Sequence, residues 1–302
     1  MKRDRLKPYV YKIKGAKNYA LFDILNGNFY RLEPEGDLKE LRKNLLEAGL
    51  IFQTEGCVPF KVEIDLHDEL NTVQVRELQL RLNGSGEDNC RTRKKKKEPK
   101  REMDLEILDS IKEAFHFIPV KKVRVEAENL EFDKVKEIIS GVKFDSLDLF
   151  IEKDVDKKSL KTIEQSCEKE NKTFSYHKNG KKEVSEMKVE AYDFFYNRQF
   201  NHCLGHQVAI DCTGEIKPCL WSNDVLGNIK KNNIHDMIIS GVFDKYWELT
   251  KDKIEICKDC ELRYACTNCP NSFLNNGSHP GGHPVFCNYD PYTGAPCARG
   301  GD

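Results

Sequence analysis

Seven cysteines in the C-terminal third of the chain sit at spacings that metal centres need. Cys203 and Cys219 flank Gly214; Cys257, Cys260, Cys266 and Cys269 follow in one short run, and Cys287 comes after a gap. Two cysteines two residues apart can turn both sulfurs toward one ion across a tight bend. Thiolates are soft ligands that select zinc, copper(I) or iron–sulfur clusters over magnesium or calcium. Gly214 supplies a tight turn that returns Cys219 beside Cys203. A single zinc ion ordinarily joins two CxxC knuckles across a linker of about 15–20 residues, so the short link between Cys260 and Cys266 is cramped. The crowding is relieved if the run divides between two centres, with partners arriving from outside it. Zinc and iron–sulfur clusters both stay open on spacing alone.

The elements that position these residues read as an α/β chain in three parts. Residues 1–70 form a small α+β unit: strands Tyr19 to Ile24 and Asn28 to Leu32 joined at Asn26-Gly27, which suits a type I′ hairpin. A helix follows from an N-cap at Asp37 to Gly49, and Val62 to Leu66 reads as a further strand. Residues 74–190 alternate strand and helix, which predicts parallel βα units, an α/β sheet or a partial barrel. Leu105, Leu108, Ile111 and Phe115 share a helical face, as do Phe132, Val135, Ile138 and Ile139, and then Leu160, Ile163 and Cys167. Val123 to Ala127 and Leu147 to Ile151 alternate as strands. Cys167 reads as an inert core thiol. Residues 83–102 carry Arg93 to Lys97, Lys100 and Arg101 without interleaved aromatics, and read as a solvated basic loop, as does Lys178 to Lys182. From 191 to 302 the composition turns to cysteine, aromatic, Asn and Gly.

Charged residues make up 33% of the chain, yet the net charge is −1, so no global field argues for nucleic acid or an anionic membrane. No apolar stretch is long enough for a membrane span, and no signal-peptide core follows the basic amino terminus. The expectation is a cytoplasmic protein, where thiols stay reduced and clustered cysteines hold metals more often than they form disulfides.

The segments CLGHQVAIDCTGEIKPC, LGNI, CKDCELRYACTNCP and HPVFCNYDPYTG together resemble the SPASM domain, the C-terminal auxiliary-cluster module of radical-SAM peptide- and protein-modifying enzymes. The resemblance covers roughly the last third of the chain. Cys266 and Cys269 stand one residue closer than that family's pattern has them, in a form similar to the SPASM proteins that accompany ATP-grasp ligases in grasp-with-spasm peptide maturation. The resemblance implies two [4Fe-4S] clusters. One would take Cys203, Cys219 and Cys269, the other Cys257, Cys260, Cys266 and Cys287. Cys212, His202 or His206 could complete the first, or its iron could stay open. Cys212 alone reads slightly better as a packed thiol. His279 and His283 read as loop residues and Cys297 as free.

A radical-SAM enzyme also needs a CxxxCxxC loop after its first barrel strand. Here that strand would be Leu78 to Leu82, and the text after it holds only Cys90. Reductive cleavage of S-adenosylmethionine is therefore not expected, and the middle region reads as a shortened, emptied barrel. The amino-terminal unit is similar to leader-peptide recognition modules, which accept a peptide as an added strand. The expected function is an iron–sulfur SPASM protein that binds or positions a ribosomally made precursor peptide beside an ATP-grasp ligase. A zinc-stabilised adaptor is the alternative.

Overall fold

The computed structural model describes residues 3–33, 38–54, 74–84, 101–178, 189–269 and 287–296. The amino-terminal unit has strands β1 (Arg3–Leu6), β2 (Val10–Lys14), β3 (Tyr19–Asp23) and β4 (Asn28–Leu32), helix α1 (Leu38–Glu47) and strand β5 (Ile51–Thr54). β2, β3 and β4 form an antiparallel sheet, and β1 pairs with β5. The β3–β4 connection is not the two-residue type I′ turn that Asn26-Gly27 suggests. The last ladder pair is Asp23 with Asn28, and only Gly27 takes a positive φ, +71°. Asp23 Oδ1 accepts from the amides of Leu25 and Asn26, both at 3.2 Å, which draws the chain into a longer loop. Gly49, at φ +68°, closes α1 as expected. Asp37 and the segment Val62 to Leu66 lie outside the described residues.

The middle region continues with β6 (Val75–Arg81), a two-residue pair β7 (Asn83–Gly84) and β8 (Arg101–Glu102), α2 (Leu105–Ala114), β9 (Val120–Ala127), α3 (Phe132–Gly141), β10 (Phe144–Ile151), α4 (Lys157–Lys169) and β11 (Thr173–Lys178). β6, β9, β10 and β11 run parallel, as the alternation predicts. Their apolar positions, among them Leu78, Leu80, Val123, Val125, Leu147 and Leu149, are buried with Leu108, Ile111, Ile138 and Ile163 of the helices. Leu105 departs from its expected place and is 66% exposed, because it opens the first turn of α2. Cys167 is buried on α4, where desolvation pushes its thiol up to about 11. The opposite face of the sheet is ionic. Lys122 lies 2.9 Å from Asp148, and Glu126 bridges Arg124 at 2.6 Å and Arg81 at 3.6 Å. The ends of the basic loop meet as β7 and β8; the rest of it, Cys90 included, lies outside the described residues.

Helix α5 (Ala191–Gln199) leads into β12 (Gln207–Ile210), β13 (Glu215–Lys217) and β14 (Gly227–Asn228), then α6 (Ile234–Ile239) and α7 (Asp244–Trp247). β12 pairs in parallel with β6, from Gln207 opposite Glu77 to Ile210 opposite Leu80. One seven-stranded, mostly parallel sheet results, in the order β11-β10-β9-β6-β12-β13-β14. It runs from the βα region into the cysteine-rich region without a break. Short 3-10 turns at Lys251–Lys253 and Ile256–Asp259 and a small hairpin, β15 (Tyr289–Asp290) with β16 (Ala295–Pro296), complete the described elements.

The β12–β13 turn depends on two residues. Gly214 has φ +79°, and a Cβ there would come within 3.2 Å of Ile229 Cγ2. Asp211 Oδ1 accepts from the amides of Thr213 and Glu215, at 3.0 and 3.1 Å. Replacing Gly214 with Ala is expected to cost roughly 1–2 kcal/mol, the ordinary penalty for a left-handed L-residue, in a denaturant titration. Desolvation opposes ionisation of Asp211, but Lys217 and the Thr213 contacts hold its carboxyl below the usual range. A carboxyl depressed in the folded state adds stability above its unfolded pKa of about 3.9 and loses it as pH falls toward the lowered value. Asp211→Asn should therefore flatten the acid limb of the stability profile below about pH 4, which thermal melts across that range would show.

Candidate metal centre

Cys257, Cys260, Cys266 and Cys287 line one cavity of about 330 Å³ including its mouth, and its wall is almost wholly apolar. The first two thiols come from the 3-10 turn, where Ile256 takes a strained φ of +32° and the amide of Cys260 donates to Cys257 O at 3.0 Å. Arg263 donates to Cys260 O at 2.9 Å and pins the outgoing chain. Cys287 arrives with the β15–β16 hairpin, its thiol donating to Tyr289 O at 3.4 Å. Burial pushes the Cys257 thiol up to about 11 and the Cys260 thiol up to about 12. In both cases desolvation disfavours the thiolate.

A second pair meets elsewhere. The side chains of Cys203 and Cys269 are hydrogen-bonded to each other, and this contact lowers the Cys203 pKa against the opposing effect of desolvation. Asn201 Oδ1 accepts from the amides of Cys203 and Leu204, both at 2.9 Å, and so shapes the turn before β12. Arg76 spans the same turn, donating to Gly205 O at 3.2 Å and to His202 O. The β12–β13 hairpin returns Cys219, which is buried, to the end of β12 where Cys203 lies. A buried amide chain fixes that return: Gln79 Nε2 donates to Gln207 Oε1 at 3.0 Å, and Gln207 Nε2 to Pro218 O at 2.8 Å. The amide of Leu220 closes it on Gln79 Oε1 at 3.2 Å.

The candidate fourth donors are placed differently. Cys212 follows the far end of β12, where Asp211 and Arg81 are its charged neighbours, which separates it from Cys203 by the length of that strand. His206 is buried in an aromatic cage, 4.5 Å from Phe200 and 4.7 Å from Trp247 between ring centres, with Nδ1 3.1 Å from the Tyr196 hydroxyl. His202 Nδ1 lies 3.1 Å from Asn197 Oδ1 and is half-buried beside Cys203. His279, His283 and Cys297 lie outside the described residues.

The amino-terminal unit reaches this site through its β2–β3 turn. Ala16 N donates to Asp259 O at 2.7 Å, Arg263 Nη1 to Lys14 O at 3.0 Å, and Lys17 Nζ to Thr293 O at 2.9 Å. Asn18 Nδ2 donates to the Tyr289 hydroxyl at 3.3 Å, and that hydroxyl donates to the fully buried Glu261. Gly15 permits the approach, since a Cβ there would lie 2.6 Å from Glu261 Oε2 and 2.7 Å from Glu261 N. Glu261 and Tyr289 fall within the cysteine-bearing segments singled out in the sequence, whereas nothing there marked Gly15 or Asn18.

Among the described residues no three Cys, His, Asp or Glu side chains close on a single-ion position. A tetrahedral zinc would need sulfurs all about 2.3 Å from one point. A cluster, whose thiolates bind different irons, accepts a wider spread. The four thiols that line one cavity are a donor set that fits a cluster. What the described residues define is a cavity lined by four thiols and, apart from it, the Cys203–Cys269 pair.

Residues 202–261 match the SPASM family, described as an iron–sulfur cluster-binding domain. Cys203, Cys219, Cys257 and Cys260 lie within the match; Cys266, Cys269 and Cys287 lie beyond it. Among solved structures, the chain is similar to selenomethionine BtrN in an open conformation, with TM-score 0.37 and 15% identity, over 62% of this chain and 92% of that one. Streptococcus suis SuiB gives TM-score 0.28 and 11% identity, over 89% of this chain and 96% of that one. Both likenesses are too distant to carry an argument. Comparison with curated proteins gives no match. Among the described residues no helix is long and apolar enough to cross a membrane.

If the β2–β3 turn seats on the cysteine segment as described, Gly15→Val should separate the two. Limited proteolysis is expected to cut the amino-terminal unit of the variant faster than that of the parent, with the seven-stranded sheet still protected. Equal cleavage rates would show that the contact contributes nothing to docking.

Proposed function

We propose that this chain is an iron–sulfur protein of peptide maturation, carrying two [4Fe-4S] clusters and binding or positioning a ribosomally made precursor beside an ATP-grasp ligase. The observation that carries the cluster reading is the convergence of Cys257, Cys260, Cys266 and Cys287 on one apolar cavity, next to a segment that matches an iron–sulfur cluster-binding domain. Cys203, Cys219 and Cys269 would hold the second cluster, with His202, next to Cys203 in sequence, among the candidate fourth donors. The peptide and ligase rest on the resemblance of CELRYAC and DPYTG to grasp-with-spasm proteins. A bound cluster would supply one-electron transfer or a Lewis-acidic iron. The chain's own residues bring the four thiols to one cavity and fix its wall through Arg263, Tyr289 and Glu261.

Anaerobic reconstitution followed by iron and sulfide analysis tests the reading. The parent should bind iron and sulfide in equal amounts and turn brown. Cys260→Ala should lose the iron of one centre, and Cys212→Ala should retain all of it. Uptake of zinc without iron would replace the cluster by the zinc-stabilised adaptor. Co-expression with an ATP-grasp ligase and a precursor tests the second half. Mass spectrometry should show a modification that disappears when this chain is left out.

A further inference from the structure

The chain has 49 lysines and arginines, and among the described residues Lys251 is the one that is buried, at 4% exposure. A buried ammonium is costly unless opposite charge or several acceptors compensate it. Lys251 Nζ donates to the carbonyl of Asn268 at 2.5 Å. No carboxylate among the described residues forms an ion pair with it. Lys251 lines the cavity of Cys257, Cys260, Cys266 and Cys287. Arg263, the other cation on the wall of that cavity, is paired with Asp252 at 2.7 Å. Asn268, whose carbonyl Lys251 holds, precedes Cys269, and Cys269 is hydrogen-bonded to Cys203. The chain thus passes from one thiol set to the other between Cys266 and Cys269, and the lysine is bonded to that crossing.

We propose that Lys251 is the shared internal counter-cation of the two thiol sets, holding the Cys266–Cys269 crossing in place and favouring the reduced state of the clusters the sets bind. This rests on the iron–sulfur reading above. Adding one electron from an external reductant adds one negative charge to a cluster, and a fixed cation in a poorly solvated site stabilises that product. Lys251 is a positioning and tuning residue; it is not offered as a ligand.

The test compares the reconstituted parent with Lys251→Arg, Lys251→Met and Lys251→Gln. Iron and sulfide are counted first, and each protein is then titrated with dithionite while the reduced clusters are followed by electron paramagnetic resonance. Lys251→Arg should titrate like the parent. The two neutral variants should load iron yet shift the oxidised-to-reduced ratio at fixed poise at least tenfold toward oxidised, which is 59 mV for a one-electron couple. If Lys251→Met fails to load, Lys251→Gln, which keeps an amide donor for Asn268 O, decides. Loss of iron in both neutral variants with full loading of Lys251→Arg would support the counter-cation, since charge alone separates them. A neutral variant that loads and titrates like the parent overturns the proposal, as does equal loss of iron in all three. A parent that takes up no iron overturns the cluster reading itself.

Discussion

The parallel pairing of β12 with β6 is the constraint from which the site is built. Cys203 precedes β12, Cys219 follows its hairpin partner β13, and both positions are therefore measured from the central strand of the βα sheet. The pairing is reinforced where it is most needed. Gln79 on β6 and Gln207 on β12 bond to each other and to the returning residues Pro218 and Leu220. Removing one of these buried amides would strand its partners at a cost of about 1–3 kcal/mol each. A short hairpin of three- and four-residue strands is marginal alone, and here it inherits the rigidity of a parallel sheet.

The remaining cysteines have no such sheet. Cys257, Cys260, Cys266 and Cys287 sit on 3-10 turns, loops and a two-residue hairpin, so their positions depend on bonds to other segments. The most distant of these come from the amino terminus: Lys17 bonds Thr293 and Asn18 bonds Tyr289, contacts separated by more than 270 residues in sequence. Gly15 explains why this close backbone approach is possible, and Tyr289 with Glu261 ties the Cys287 hairpin to the CxxC segment beneath it. The amino-terminal sheet and the cysteine segment are in this sense one structural unit, although the chain order separates them by the whole βα region.

Much of this was legible in the residues. Periodicity located helices 105–114, 132–141 and 157–169 and the parallel strands between them, because each buries one face against the same core. The cysteine spacing and the turn role of Gly214 were legible because both are local constraints. What escaped was non-local. Asn26-Gly27 promised a tight hairpin, but Asp23 captured the amides of the loop and lengthened it. Lys251 is one lysine in a lysine-rich text, and nothing in its neighbours marks it; burial between two thiol sets is a property of the fold. Continuity of the sheet across the start of the cysteine region likewise required knowing which strand β12 would choose.

A raised thiol pKa does not by itself identify a metal ligand in this protein. Cys167 and Cys257 are both pushed up to about 11 by desolvation. Cys167 sits on α4 packed among Ile163 and other core side chains, so its thiol gains nothing by ionising and behaves as a small apolar group. Cys257 shares its cavity with three other thiols and Lys251, so it stands among sulfurs that a cation can stabilise together. The chemical difference between the two lies in convergence and compensating charge. That is why a buried lysine on the wall of a four-thiol cavity says more about this site than the acidity of any one cysteine.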